Sequence, residues 1–377
     1  MILGILREQV TENRVAMLPG EVSVLKKMGI KVLIELHAGE RAFASDESYI
    51  AAGASVKERK SVISEADLLL SVNPLLEEDL NSFREGQVLC SILNPVENCL
   101  WLESVRQKGL TLLALDLVPR TTRAQSMDIL SSMATVAGYK AVLEAASRLP
   151  RFFPMFMSAA GTIKPARVLI LGAGVAGLQA IAVARKLGAI GEVFDVRSAV
   201  REEVRSLGGK FIEVEGAKED AAAGGYAVEQ SEEFRQKQQE LIQHRAIAAD
   251  VVICTAQIPG KKAPVLILKE TVNSMKPGSV IVDLAASSGG NCELTSNGRN
   301  IVVNGISIIG MTDYPSGMST DASKMFGSNV NSLLKIMVDG ECNLILNMDD
   351  DIIRGTISVH RKESVCQRVK QLLNINY

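Results

Sequence analysis

Apolar residues in the first third of the chain come in short runs separated by segments with a helical repeat. Ile2–Leu6, Lys31–Leu36, Leu68–Val72, Val88–Ile92 and Thr111–Leu115 read as strands, and Gly20–Met28, Asp46–Ala52 and Cys99–Lys108 as helices between them. Strands that alternate with helices predict a parallel α/β architecture. A polar segment, Asp116–Arg123, precedes Ala124–Leu149, which the pattern predicts as one long helix. Pro150, Pro154 and Pro165 then punctuate the chain, and a second strand-helix series starts at Arg167 and continues through Val251–Cys254, Val280–Leu284 and Ile301–Val303. After the polar stretch Ser316–Ser323, helices are predicted over Phe326–Val338 and Lys362–Leu373, and no internal repeat is visible.

With 377 residues, two domains are expected; 47% hydrophobic and 22% charged residues exclude a disordered or fibrous chain. The net charge of -2, with basic residues scattered, argues against a nucleic-acid partner. Six cysteines without a C-x-x-C spacing and three isolated histidines, His37, His244 and His360, give no metal-site pattern and fit a reducing interior. Arg7 and Glu8 follow Met1–Leu6 too closely for a signal peptide, and the apolar stretch Val168–Ala184 is too rich in glycine to span a bilayer, so a soluble chain is expected.

Arg167–Leu171 is followed by Gly172, Gly174 and Gly177 in a G-x-G-x-x-G pattern and then by a helical run, Leu178–Leu187. Gly172 permits the tight turn, Gly174 lets a pyrophosphate approach the backbone, and Gly177 lets the helix sit close to the sheet, whose helix terminus offers N–H groups to phosphate. A further strand, Glu192–Val196, carries Asp195, 18 residues beyond Gly177, where a carboxylate can accept from ribose hydroxyls. That carboxylate favours NAD(H) over NADP(H), while Arg197 reads either as a surface or adenine-stacking cation or as a neutraliser of a 2′-phosphate.

These residues, together with Asn13–Pro19, Arg120–Asp128, Ser206–Phe211, Gly224–Tyr226, Ile258–Gly260 and Gly289–Leu294, resemble the soluble NAD(H)-binding component of proton-translocating transhydrogenases over essentially the whole chain. The fold that follows is α/β, two Rossmann-like doubly wound domains joined by long helices with a cleft between them: residues 1–130 plus 320–377, and 131–319 with the NAD(H) site. Alanine dehydrogenases share this fold, so the site has to decide the reaction. Where they carry a Lys-Glu-Pro motif, a histidine and an aspartate before a Gly-Gly pair, this chain has Val72-Asn73-Pro74, Cys90–Leu93 and Ser287-Ser288-Gly289-Gly290. The acid-base groups of amino acid oxidation are missing.

Hydride transfer between two nicotinamides needs orientation instead. Arg120, Gln125, Asp128 and Ser131 read on their own as a polar face of an amphipathic helix, the last three at i, i+3 and i+6. The resemblance implies that Arg120, Asp128 and Ser131 hold the nicotinamide end of NAD(H) and that Gln125 reaches toward NADP(H) on a partner subunit. It adds Val175, Ala176, Val196 and Gln257 to the cofactor contacts, and Gly225 and Tyr226 as a mobile lid, a segment that otherwise reads as a surface excursion. It also implies a homodimer, a membrane proton-channel subunit and an NADP(H)-binding subunit as separate chains, and the cytoplasmic face of a membrane. A divergent amino acid dehydrogenase and a non-catalytic NAD-sensing module are the alternatives. The histidines, Cys254, and the methionines Met127, Met133, Met155 and Met157 read as structural, the methionines as gap fillers.

Overall fold

The computed structural model describes residues 1–94, 98–213, 232–257 and 261–364. The chain forms two units, 1–133 with 315–377, and 134–314. In the first, β1 (Ile2–Ile5), α1 (Pro19–Lys27), β2 (Lys31–Glu35), α2 (Asp46–Ala52), β3 (Ser55–Lys57), α3 (Arg59–Glu65), β4 (Leu68–Leu70), β5 (Val88–Ser91), α4 (Cys99–Gln107) and β6 (Thr111–Ala114) follow one another. The strands lie in the order β3-β2-β1-β4-β5-β6, all parallel. β4, β5 and β6 are buried at every position, as unbroken apolar strands in a parallel sheet covered on both faces should be. Helix α5 (Ile129–Arg148) contains the boundary between the units.

In the second unit a hairpin of β7 (Phe156–Ser158) and β8 (Gly161–Ile163) precedes β9 (Arg167–Leu171), α6 (Val175–Lys186), β10 (Ile190–Phe194), α7 (Arg201–Ser206) and β11 (Lys210–Ile212). Then come α8 (Glu232–Ala248), β12 (Val251–Cys254), α9 (Lys269–Ser274), β13 (Val280–Asp283), β14 (Asn300–Val303) and β15 (Ile306–Ile309). The sheet runs β11-β10-β9-β12-β13-β15-β14, parallel except for the edge strand β14. Along β9, Val168 and Ile170 enter one core cluster and Leu169 and Leu171 the other, so the strand's alternation fills both faces. Strand order reverses between β9 and β12, and a crevice outside the carboxyl ends at such a point is where open α/β sheets bind ligands. The chain returns to the first unit with α10 (Ser319–Met337), α11 (Asp351–Thr356), β16 (Ile357–His360) and β17 (Glu363–Ser364), the last two extending the first sheet antiparallel beyond β6.

Three predicted features differ. The long helix over Ala124–Leu149 is interrupted: Gln125–Met127 form a 3-10 turn, and Asp128 is extended, with φ -76° and ψ 90°. Its carboxylate accepts from the Ser131 N–H, 2.9 Å, which makes Asp128 the cap of α5; a capping residue cannot also lie inside the helix. Gln125, Asp128 and Ser131 therefore do not share one helical face. Met155 and Met157 fill no gap, being 58% and 69% exposed beside or on the β7–β8 hairpin, whereas Met127 and Met133 are buried. Lys362 lies in the turn before β17, so the predicted helix Lys362–Leu373 does not begin there; residues from 365 onward lie outside the described residues.

The first sheet reverses between β1 and β4, and its own side chains fill that point. Glu8 accepts from the N–H groups of Val72, 2.6 Å, and Asn73, 3.2 Å, while Glu12 takes both Nε and Nη2 of Arg14 and the Asn73 amide. Burial, helped by the neighbouring Glu12, pushes Glu8 up to about 7 against its backbone hydrogen bonds; at Glu12 burial is outweighed by Arg14 and the pKa falls to about 2. A carboxyl with a raised folded-state pKa retains its proton longer in the folded chain, so its contribution to stability falls as pH rises from about 4.5 to about 7. Thermal unfolding of the parent and Glu8→Gln chains across that window is expected to show the parent losing on the order of 3 kcal/mol relative to the variant. Parallel curves would mean that Glu8 titrates normally.

Candidate dinucleotide site

Gly172 follows β9 directly with φ 105°, a conformation that favours glycine. A Cβ on Gly177 would stand 1.9 Å from the Gly172 carbonyl oxygen, so the first turn of α6 can rest on the end of β9 only without a side chain there. A Cβ on Gly174 would meet nothing within 4 Å, and Gly174 caps α6 without a side-chain hydrogen bond. Among the described residues no side chain caps the helix amino terminus at Val175 and Ala176, the setting for an anion. Helix α5 approaches equally closely: a Cβ on Gly138 would lie 2.2 Å from the Ala176 carbonyl oxygen.

Asp195 follows β10 and is directed at the glycine turn. Its Oδ2 accepts from the Ala173 N–H, 2.7 Å, and from Arg197 Nη2, 2.8 Å; its Oδ1 accepts from the Arg197 N–H and Nε, each 2.9 Å. Burial works to raise its pKa, but the Arg197 and Ala173 hydrogen bonds prevail and hold the carboxyl below its ordinary range. Arg197, read from sequence as a surface, adenine-stacking or phosphate-neutralising cation, is folded back onto this carboxylate. Val196 is half-buried and packs against a core cluster.

Across the switch point, Thr255 donates to the Leu171 and Gly172 carbonyls, 3.2 and 3.0 Å, clamping the glycine turn to the end of β12. The next residues are fixed by Asn291, whose side chain accepts from the Ala256 N–H and donates to the Ala256 and Pro264 carbonyls. Asn291 is held in turn by Asp283, a fully buried carboxylate that accepts from the N–H groups of Ala285, Asn291 and Cys292 and from the Thr295 hydroxyl. Gln257 is exposed and donates to the Leu284 carbonyl. Thr255, Asn291 and Asp283 were not among the residues expected from sequence; the available signal was an aspartate, Asp283, at the end of the apolar strand Val280–Asp283.

The other candidate residues belong to the first unit. Arg120 and Gln125 are exposed, Arg120 in the loop after Pro119 and Gln125 at the start of the 3-10 turn; Asp128 accepts from Ser131 Oγ, 2.6 Å, as well as from its N–H. Their segment is anchored by burial of Ala124 and Met127, by the Asn329 amide donating to the Ser126 carbonyl, and by Arg123 paired with Asp350 and Asp351. The structure thus brings Gly172, Gly174, Gly177, Asp195 and Arg197 together, while Arg120, Gln125, Asp128 and Ser131 belong to the other unit, where Asp128 and Ser131 are hydrogen-bonded to each other. Gly225 and Tyr226 lie outside the described residues. Cys254 is buried in β12, and burial raises its thiol far above the usual range.

Gly174 has ordinary backbone angles and open space above it, so Gly174→Ala is expected to melt like the parent. The added methyl blocks the approach of a pyrophosphate, and NADH affinity measured by fluorescence titration should fall about tenfold or more. Gly138→Ala should instead lower both, with about 1–3 kcal/mol lost from stability as α5 is forced off α6. Unchanged NADH binding by Gly174→Ala would remove the glycine turn from the site.

The descriptions "Alanine dehydrogenase/PNT, N-terminal domain" and "Alanine dehydrogenase/PNT, C-terminal domain" match residues 4–137 and 141–367. An NAD(P) transhydrogenase subunit alpha polypeptide of Rhodospirillum rubrum is 45% identical over 354 residues, 92% of each chain. A crystal structure of transhydrogenase from Sinorhizobium meliloti superposes with a TM-score of 0.86 at 36% identity, covering 98% of this chain and all of that one. The alanine dehydrogenase of Mycolicibacterium smegmatis is 33% identical over 77% of this chain and 74% of its own. The chain belongs to the alanine dehydrogenase/PNT family and is more similar to these transhydrogenases than to this alanine dehydrogenase.

Proposed function

We propose that the chain is the NAD(H)-binding component of a proton-translocating transhydrogenase, passing hydride between NADH and NADP+ held on a partner subunit. The observation that carries this reading is the glycine turn, which no side chain among the described residues caps, with Asp195 beside it. The choice of reaction is supported by what occupies the positions where an amino acid dehydrogenase keeps its acid-base groups. Asn73 is bound to Glu8 and Glu12, Cys90 is fully buried with its thiol pushed up by burial, and Ser288 donates to the Ala285 carbonyl. None is poised to move a proton.

Bound NADH supplies the hydride at C4 of its nicotinamide, and no heteroatom changes protonation when another nicotinamide receives it. The chain's own residues orient: the α6 terminus holds pyrophosphate, Asp195 the adenosine ribose, Arg120, Asp128 and Ser131 the nicotinamide end, and Gln125 reaches the second nucleotide. Membrane proton-channel and NADP(H)-binding subunits complete the complex and hold the chain on the cytoplasmic face of a membrane. No helix among the described residues is long and apolar enough to cross one.

We also propose that two copies associate through the arm formed by the β7–β8 hairpin. Met155, Phe156, Met157 and Ile163 are each at least 41% exposed, and Phe152 and Phe156 stack with ring centroids 4.8 Å apart. An apolar arm of this kind calls for a covering surface. Phe156→Asp with Met157→Asp is expected to convert a dimer to a monomer in sedimentation analysis, and an unchanged mass would place any dimer contact elsewhere.

Reconstitution with an NADP(H)-binding subunit tests the reaction, against pyruvate plus ammonia as the competing substrates. Gln125→Asn keeps the amide and shortens its reach. Hydride transfer should fall roughly tenfold or more while NADH binding stays within about twofold. Loss of both together would make Gln125 an ordinary NADH contact, and turnover of pyruvate and ammonia would make the chain an amino acid dehydrogenase.

A further inference from the structure

The four donors on Asp195 divide into two kinds. A carboxylate has about four acceptor positions, and here each oxygen takes one backbone N–H, from Ala173 or Arg197, and one nitrogen of the Arg197 guanidinium. The backbone pair is fixed by the turns that follow β9 and β10. The guanidinium pair belongs to a single side chain with rotatable bonds. Exposure runs the same way, since the Asp195 side chain is 7% exposed and that of Arg197 30%. The movable half of this cradle is the half that faces solvent.

A ribose presents two neighbouring hydroxyls, which can donate one hydrogen bond to each oxygen of a carboxylate. Number and direction match the Nε and Nη2 donors of the guanidinium edge. We propose that Arg197 is a displaceable stand-in for the ribose diol: it pairs Asp195 while the site is free of nucleotide, and a nucleotide with free 2′ and 3′ hydroxyls takes over both of its positions while the Ala173 and Arg197 N–H groups stay in place. The proposal rests on reading the Gly172 turn as the dinucleotide site. The exchange trades an ion pair, in which donor and acceptor are both charged, for two hydrogen bonds from neutral hydroxyls to the same carboxylate, so Arg197 opposes nucleotide binding. In return the buried carboxylate is never left unpaired. Arg197 then sets how demanding the site is, because a sugar lacking either hydroxyl cannot replace both contacts.

The test follows the Arg197 Nε–H by NMR in the full chain, with the resonance assigned by its absence from Arg197→Ala. It should be protected from solvent exchange in the free chain and lose that protection at saturation with 5′-AMP. It should keep protection with 2′,3′-dideoxy-AMP at saturation, occupancy being read from the amides of Ala176 and Gly177. Arg197→Ala should bind 5′-AMP about threefold or more tightly than the parent. A protected Arg197 in the 5′-AMP complex, or parent-like or weaker binding by the variant, overturns the proposal. If 5′-AMP leaves the Ala176 and Gly177 amides unmoved at every concentration, the nucleotide reading of the turn falls and this inference with it.

Discussion

The approach of the Gly177 backbone to the Gly172 carbonyl is the constraint on which the second unit depends. With 1.9 Å between a hypothetical Cβ and that oxygen, no side chain is compatible with α6 starting where it does. Once α6 is seated, its terminus points into the crevice between β9 and β12, Thr255 can reach the turn, and α5 can pack by Gly138 against the Ala176 peptide. The polar site and the apolar core are therefore fixed by the same contact. Beyond β12 and β13, Ala256 and Pro264 are then held by Asn291, and Asn291 by Asp283, both fully buried and hydrogen-bonded.

Where one face or both faces of an element are buried, the sequence was readable. Strands such as Leu68–Leu70 and Val251–Cys254 appear as unbroken apolar runs, and the glycine turn appears because its chemistry is written in residue spacing. Reading failed where a residue's role depends on a partner chosen in three dimensions. Asp128 looked like one polar position on a long helix, but as a cap it ends the preceding turn and starts α5. Met155 and Met157 looked like filler, and nothing local reveals that their segment forms an exposed hairpin. Arg197 could be weighed as a ligand contact, but only the folded chain reveals that its guanidinium lies across Asp195.

Both sheets share one strand order around their switch points, β3-β2-β1-β4-β5-β6 and β11-β10-β9-β12-β13-β15, yet they meet the need for a hydrogen-bond acceptor differently. At the first, Glu8 supplies the negative end from within the chain and accepts the N–H groups of Val72 and Asn73. At the second, no side chain among the described residues caps the terminus of α6. A ligand that binds only the folded form adds stability by mass action, as RT ln(1 + [L]/Kd). The first sheet, carrying its acceptor covalently in the Glu8 carboxyl, has no such dependence at its switch point. A nucleotide held at Gly174 would therefore add, at the switch point of the second sheet, a stabilisation that the first sheet draws from Glu8 at its own.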